Sequence, residues 1–128
     1  MVEGPKTFVE AIDVIEETYE FLLAYAAQGR RREEEEAGSN IRERLTRAEA
    51  ALGIIASATM DAIPAGVSQA AAGEFFDVVK ADAARARAAF RFVLAQRSIG
   101  SQVVDNLNAT THVRTLLTDL FLLDEAAR

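Results

Sequence analysis

Two groups of residues in this chain have types and spacings that could support chemistry. The first is Glu16-Glu17-Thr18-Tyr19-Glu20, where three carboxylates fall within five residues. Carboxylates in that number suit a hard cation, which prefers oxygen ligands and can bridge to the phosphates of a substrate. The second is the single histidine, His112, in Asn108-Ala-Thr-Thr-His-Val-Arg-Thr. Its imidazole titrates near neutrality and could take up a proton or a phosphoryl group. On a helical wheel His112 falls about 80° from the apolar stripe of its segment, at about 100° per residue. Asp105, Asn108, Thr115 and Asp119 share that flank, so a hydrogen bond from the ring to a neighbouring Asp or Thr is the plain reading.

The Glu-Glu-x-x-Glu pattern of Glu16, Glu17 and Glu20 resembles the first metal-binding motif of the all-α nucleoside triphosphate pyrophosphatases of the MazG type. The resemblance covers about five residues and implies a magnesium-dependent hydrolase whose second motif, Glu-x-x-Asp, stands on the next helix. Glu33, Glu34, Glu35, Glu36, Glu43 and Glu49 are followed three places on by Glu36, Ala37, Gly38, Ser39, Thr46 and Leu52, and none of these is Asp. Glu17 also falls nearly opposite the apolar stripe of its helix, with only Glu16 at the edge, which describes a solvated acidic face. A His112-centred reading is similar to a histidine phosphotransfer domain, also a four-helix bundle. There, Leu116 stands where that family places a glycine. The paired Glu-x-x-His pattern of di-iron bundles is not found. Neither Gly-x-Gly-x-x-Gly nor Gly-Lys-Ser/Thr is present, so no phosphate loop is written in the chain. Asn108-Ala109-Thr110 has the form of a glycosylation acceptor, without a secretory context to give it meaning. These motifs call for no cofactor.

Composition narrows the class. The chain has 128 residues, 50% hydrophobic and 27% charged, with 14 basic and 20 acidic side chains and a net charge of −6. An acidic surface repels phosphate backbones, which disfavours nucleic acid as a partner. With no cysteine there is no disulfide, thiolate nucleophile or cysteine-type zinc site. Met1 to Lys6 carries acid and proline where a signal peptide needs a basic start, so a cytoplasmic protein is expected. Residues 51–73 are mostly small and include Asp61 and Pro64, too polar to hold a bilayer. Arginine in preference to lysine, with abundant alanine, points to a high-GC bacterial genome.

About a fifth of the residues are alanine, the strongest helix former, and period-2 clusters of strand-type residues are missing. The chain therefore reads as one all-α domain. Thr7-Phe8-Val9-Glu10 fits a capping box and opens a first helix over 7–28, stopped by Gly29. Its apolar stripe is Phe8, Ile12, Ile15, Tyr19, Leu22 and Ala26. A charged linker, 29–39, carries three arginines and four glutamates. A second helix, 40–62, has the stripe Ile41, Leu45, Ala48, Leu52, Ile55 and Ala62, and Pro64 ends it. The third, 73–97, with 67–72 as an optional first turn, buries Phe76, Val79, Ala83, Ala86, Phe90 and Val93. The fourth, 101–127, buries Ala109, Val113, Leu116, Leu120 and Leu123.

Four such helices predict an antiparallel four-helix bundle. Apolar residues are in surplus, because Phe75 adjoins Phe76, Phe92 adjoins Val93, and Leu117 and Phe121 flank the last stripe. These four residues predict a covering surface on the third and fourth helices, most simply a second copy of the chain, giving a homodimer or a larger helical assembly. The leading expectation is a non-enzymatic protein working through protein–protein contacts with a further, unidentified partner. The nucleotide hydrolase at Glu16, Glu17 and Glu20 is the alternative, and phosphotransfer at His112 the third.

Overall fold

The computed structural model describes residues 4–29, 31, 40–62 and 69–126. Among them the chain is all-helical, without a strand: α1 (Phe8–Ala26), α2 (Ile41–Ala56), a 3-10 turn (Met60–Ala62), α3 (Gln69–Leu94), α4 (Ser101–Ala109) and α5 (His112–Ala126). Most of the 29–39 linker, the Pro64 stop, residues 67–68 of the third helix's optional first turn and the last residue of the fourth expected helix lie outside the described residues. None of the described helices is long and apolar enough to cross a membrane.

Helix α1 opens as its sequence dictates. The Thr7 hydroxyl accepts from the Glu10 amide at 3.1 Å, and the Glu10 carboxylate accepts from the Thr7 amide at 3.0 Å. Donation by the Lys6 amide, then by Thr7, holds the Glu10 carboxyl below its ordinary range. The buried face is Ala11, Val14, Ile15, Thr18, Leu22 and Tyr25. It is turned about 70° from the expected stripe, at about 100° per residue, which leaves Phe8, Ile12, Tyr19 and Ala26 at its half-buried margin. The rotation follows from two polar residues that enter the core with their hydroxyls satisfied. Thr18 Oγ1 donates to the Val14 carbonyl at 2.6 Å and Tyr25 Oη to the Ile99 carbonyl at 2.5 Å.

Helix α2 buries Ile41, Leu45, Ala48, Ala51, Leu52 and Ile55. It stops at Ala56 rather than at residue 62. The Ser57 amide makes the last helical bond to the Gly53 carbonyl at 3.1 Å, and the Ser57 hydroxyl donates to the same carbonyl at 2.8 Å, the side-chain bond that competes with continued helix. Ala62, expected on the buried stripe, is only partly buried in the 3-10 turn. Helix α3 buries all six residues of its expected stripe, joined by Ala72. It ends three residues early, at Leu94, where Arg42 donates to the carbonyls of Leu94, Gln96 and Arg97 at 3.0, 2.8 and 3.1 Å. A cation at a helix C-terminus also meets the negative end of the helix dipole.

The fourth expected helix is two helices. Thr111 adopts a left-handed conformation, φ 59°, between α4 and α5. The Thr110 hydroxyl donates to Leu107 O and the Thr111 hydroxyl to Thr110 O, both at 2.7 Å. Two adjacent β-branched hydroxyl residues thus divert backbone acceptors that a continuous helix would need. Ala109, placed on the buried stripe by its spacing, is exposed next to the break, while Val113, Leu116, Leu120 and Leu123 are buried as expected.

Helix α3 packs on α2 and α5, and α1 packs on α2, α4 and α5. The start of α2 meets the end of α3 through Arg42, and the end of α1 meets the start of α4. There Ser101 Oγ donates to Tyr25 O at 2.9 Å and Asn108 Nδ2 to Leu22 O at 3.2 Å. Tyr25→Phe is expected to cost about 1–2 kcal/mol, the value of a buried hydrogen bond. Thr111→Gly is expected to stabilise by roughly 0.5–1 kcal/mol, because glycine adopts positive φ without a Cβ penalty. Urea denaturation of both variants reads these values.

Candidate functional site

The carboxylates of α1 point into different places. Glu17 lines a hollow of about 360 Å³ between α1 and α2, with Glu10, Asp13, Lys6 and Arg47. Glu16 and Glu20 border another, of about 250 Å³, between α1 and α5, beside Tyr19, Arg114 and Phe121. Glu17 and Glu20 are exposed and Glu16 is half-buried, as the wheel predicts. Among the described residues no three His, Asp or Glu side chains come together to hold a metal ion. The Glu-Glu-x-x-Glu pattern is therefore divided between two surfaces by the turn of about 100° per residue along one helix.

His112 is the first residue of α5 and is half-buried. Its ring makes no hydrogen bond with the described residues, so the expected link to an Asp or Thr is not formed. Asp119, expected on its flank, engages α3 instead.

The four surplus apolar residues do not share one surface. Leu117 is a correction, because it is core, 5% exposed. Its burial follows from the break at Thr111, which lets α5 set its own rotation and present Leu116 and Leu117 inward together. Phe75 is half-buried against the core. Phe92, 71% exposed, borders an apolar hollow of about 340 Å³ between α3 and α4, with Val93, Val103 and Leu107. Phe121, 53% exposed, stands on α5 next to Leu122, 60% exposed.

Three polar arrangements were not legible as motifs. On the α2–α3 seam, Glu49 Oε2 accepts from Arg87 Nε, and from Arg91 Nε at 3.1 Å. Gly53 makes room for this, since a Cβ there would lie 2.9 Å from Arg87 Cζ. Arg47, in the α1–α2 hollow, has a buried Nε without a hydrogen-bond partner. On the α3–α5 seam, Asp119 faces Asp82, which accepts from Arg85 Nη1 at 2.7 Å, and Asp119 Oδ2 is buried without a partner. Burial first, then the hydrogen bond and the negative charge of Asp82, push the Asp119 carboxyl up to about 7. Only tertiary packing sets Asp82 and Asp119, 37 positions apart in the chain, side by side. The single signal in the sequence was an aspartate beside an apolar stripe.

No protein-family model, curated protein or solved structure matches this chain.

The Asp119 pair gives a signed pH dependence. The native state holds this proton more tightly than the unfolded chain, so the stabilisation is complete below about pH 4 and is lost as pH rises through about 7. Asp119→Asn should abolish that slope and make the protein more stable than the parent at pH 8. Denaturant midpoints at pH 5 and pH 8 check it, and equal slopes in parent and variant would refute the assignment.

Proposed function

We propose that this chain is a non-enzymatic helical-bundle protein that acts through protein–protein contacts, as an adaptor, assembly factor or regulatory subunit, with a homodimer as its simplest working form. Its five helices are read as a four-cornered antiparallel bundle whose last corner is shared by α4 and α5. The observation that carries the reading is apolar: Phe92, Phe121 and Leu122 stand 71%, 53% and 60% exposed on helix surfaces. Phe121 and Leu122 adjoin on α5, and Phe92 borders the apolar hollow between α3 and α4. Burying a side chain of this size is worth about 1.5–3 kcal/mol, and grouped apolar surface of this kind favours a covering partner. The division of Glu16, Glu17 and Glu20 between two hollows supports a solvated acidic face over a hydrolytic centre.

The test is a thermal melt combined with light scattering, with and without millimolar magnesium and a panel of nucleoside triphosphates. The expected result is a mass above that of the monomer and an unmoved midpoint. A magnesium-dependent rise of several degrees that disappears in Glu17→Ala, accompanied by nucleotide turnover, would replace this reading with the hydrolase.

A further inference from the structure

The solvent side of α3 carries a second periodic stripe, opposite the buried one. Glu74, Val78, Ala81, Arg85, Ala88 and Phe92 are all exposed and recur at alternating spacings of four and three. A face of this kind meets another helix when small and apolar residues dominate it, as Val78, Ala81, Ala88 and Phe92 do here alongside Glu74 and Arg85. Val78 and Phe92 are 45% and 71% exposed along it. At its centre Ala81, with Ala88 toward one end, would let two helix axes approach to about 8 Å.

The charges beside the stripe are segregated. Glu74 and Asp77 lie in the first half and Arg85 in the second, all exposed, while Arg91 is turned toward Glu49 of α2. Lys80 does not break this order, since its ammonium is turned over the Phe76 ring, 5.9 Å from the centroid. A parallel pairing of two such helices would set acid on acid and base on base. An antiparallel pairing about a two-fold axis through Ala81 sets Asp77 against Arg85, places Glu74 over Ala88 within a turn of Arg85, and stacks alanine on alanine. Arg85 can serve Asp82 of its own chain and Asp77 of the other together, because a guanidinium has five donors.

Resting on the interaction reading above, we infer that the outer face of α3 is a self-docking surface, occupied by the same helix of a second copy in antiparallel register about Ala81. This assigns the homodimer to one helix face, distinct from Phe121 on α5.

The test is sedimentation equilibrium of the full chain with variants at exposed positions. Ala81→Arg puts two guanidinium groups at the axis while keeping helix propensity, and it should raise the dimer dissociation constant by at least about tenfold with the melt of the monomer unchanged. Asp77→Arg should weaken the dimer likewise, and Asp77→Arg combined with Arg85→Glu should restore it. The chain has no cysteine, so Ala81→Cys should oxidise to a covalent dimer. Ala71→Cys should not, because two copies of residue 71 would lie about 30 Å apart at about 1.5 Å per residue. A monomeric parent protein overturns the inference. So does a dimer that survives Ala81→Arg and dissociates with Phe121→Ser, an outcome that leaves the interaction reading in place. Magnesium-dependent nucleotide turnover would remove that reading itself.

Discussion

The close approach that Ala83 and Ala86 permit at the middle of α3 is the constraint from which most of the packing follows. Both are fully buried, while Phe76 and Phe90 fill the wider space on either side of them. A side chain of one methyl group sets the helix spacing, and larger neighbours then interdigitate at the ends. That spacing brings α2 near enough for Arg87 to reach Glu49, across a stretch where Gly53 has no side chain to obstruct it. On another side of α3, Asp82 meets Asp119 of α5. Overpacking of a core at such a point typically costs about 1–3 kcal/mol, so the alanines are as specific a part of the core as the phenylalanines.

The C-terminal ends of α1 and α3 also draw donors from distant parts of the chain. The carbonyls after α3 accept from Arg42 at the start of α2, and the last carbonyls of α1 accept from Ser101 and Asn108. Tyr25 completes this second junction through the Ile99 carbonyl. A helix leaves its last carbonyls without intrahelical partners. Supplying donors from another helix satisfies them and at the same time registers one helix against the next. The polar contacts therefore position the helices, while the apolar stripes provide most of the stabilisation.

The surface follows a different logic from the core. The acidic groups of α1 fall into two sets, Glu10, Asp13 and Glu17 round a hollow that also holds Lys6 and Arg47, and Glu16 and Glu20 beside Arg114. Among the described residues no three of them come together as a coordination centre. The outer side of α3, by contrast, combines small residues, two large apolar ones and charges sorted by sign along the helix. Dispersed charge suits contact with water, whereas ordered charge beside an apolar seam suits contact with another helix.

Much of the fold was legible in the residues themselves. Alanine content and three-four spacing determined the all-helical class, the Thr7–Glu10 box determined the start of α1, and the stripe from Phe76 to Val93 determined the buried face of α3. These depend on neighbours within one or two turns, where spacing and hydrogen-bonding groups are visible along the chain. The rotation of α1 toward Thr18 and Tyr25, the break at Thr111, the burial of Leu117 and the pairing of Asp82 with Asp119 were decided by tertiary structure. Each turns on whether a polar group finds a partner, or an apolar one a neighbour, that is remote in sequence. A hydroxyl enters a core only when an acceptor already waits there, and for Tyr25 that acceptor comes from a residue 74 positions away.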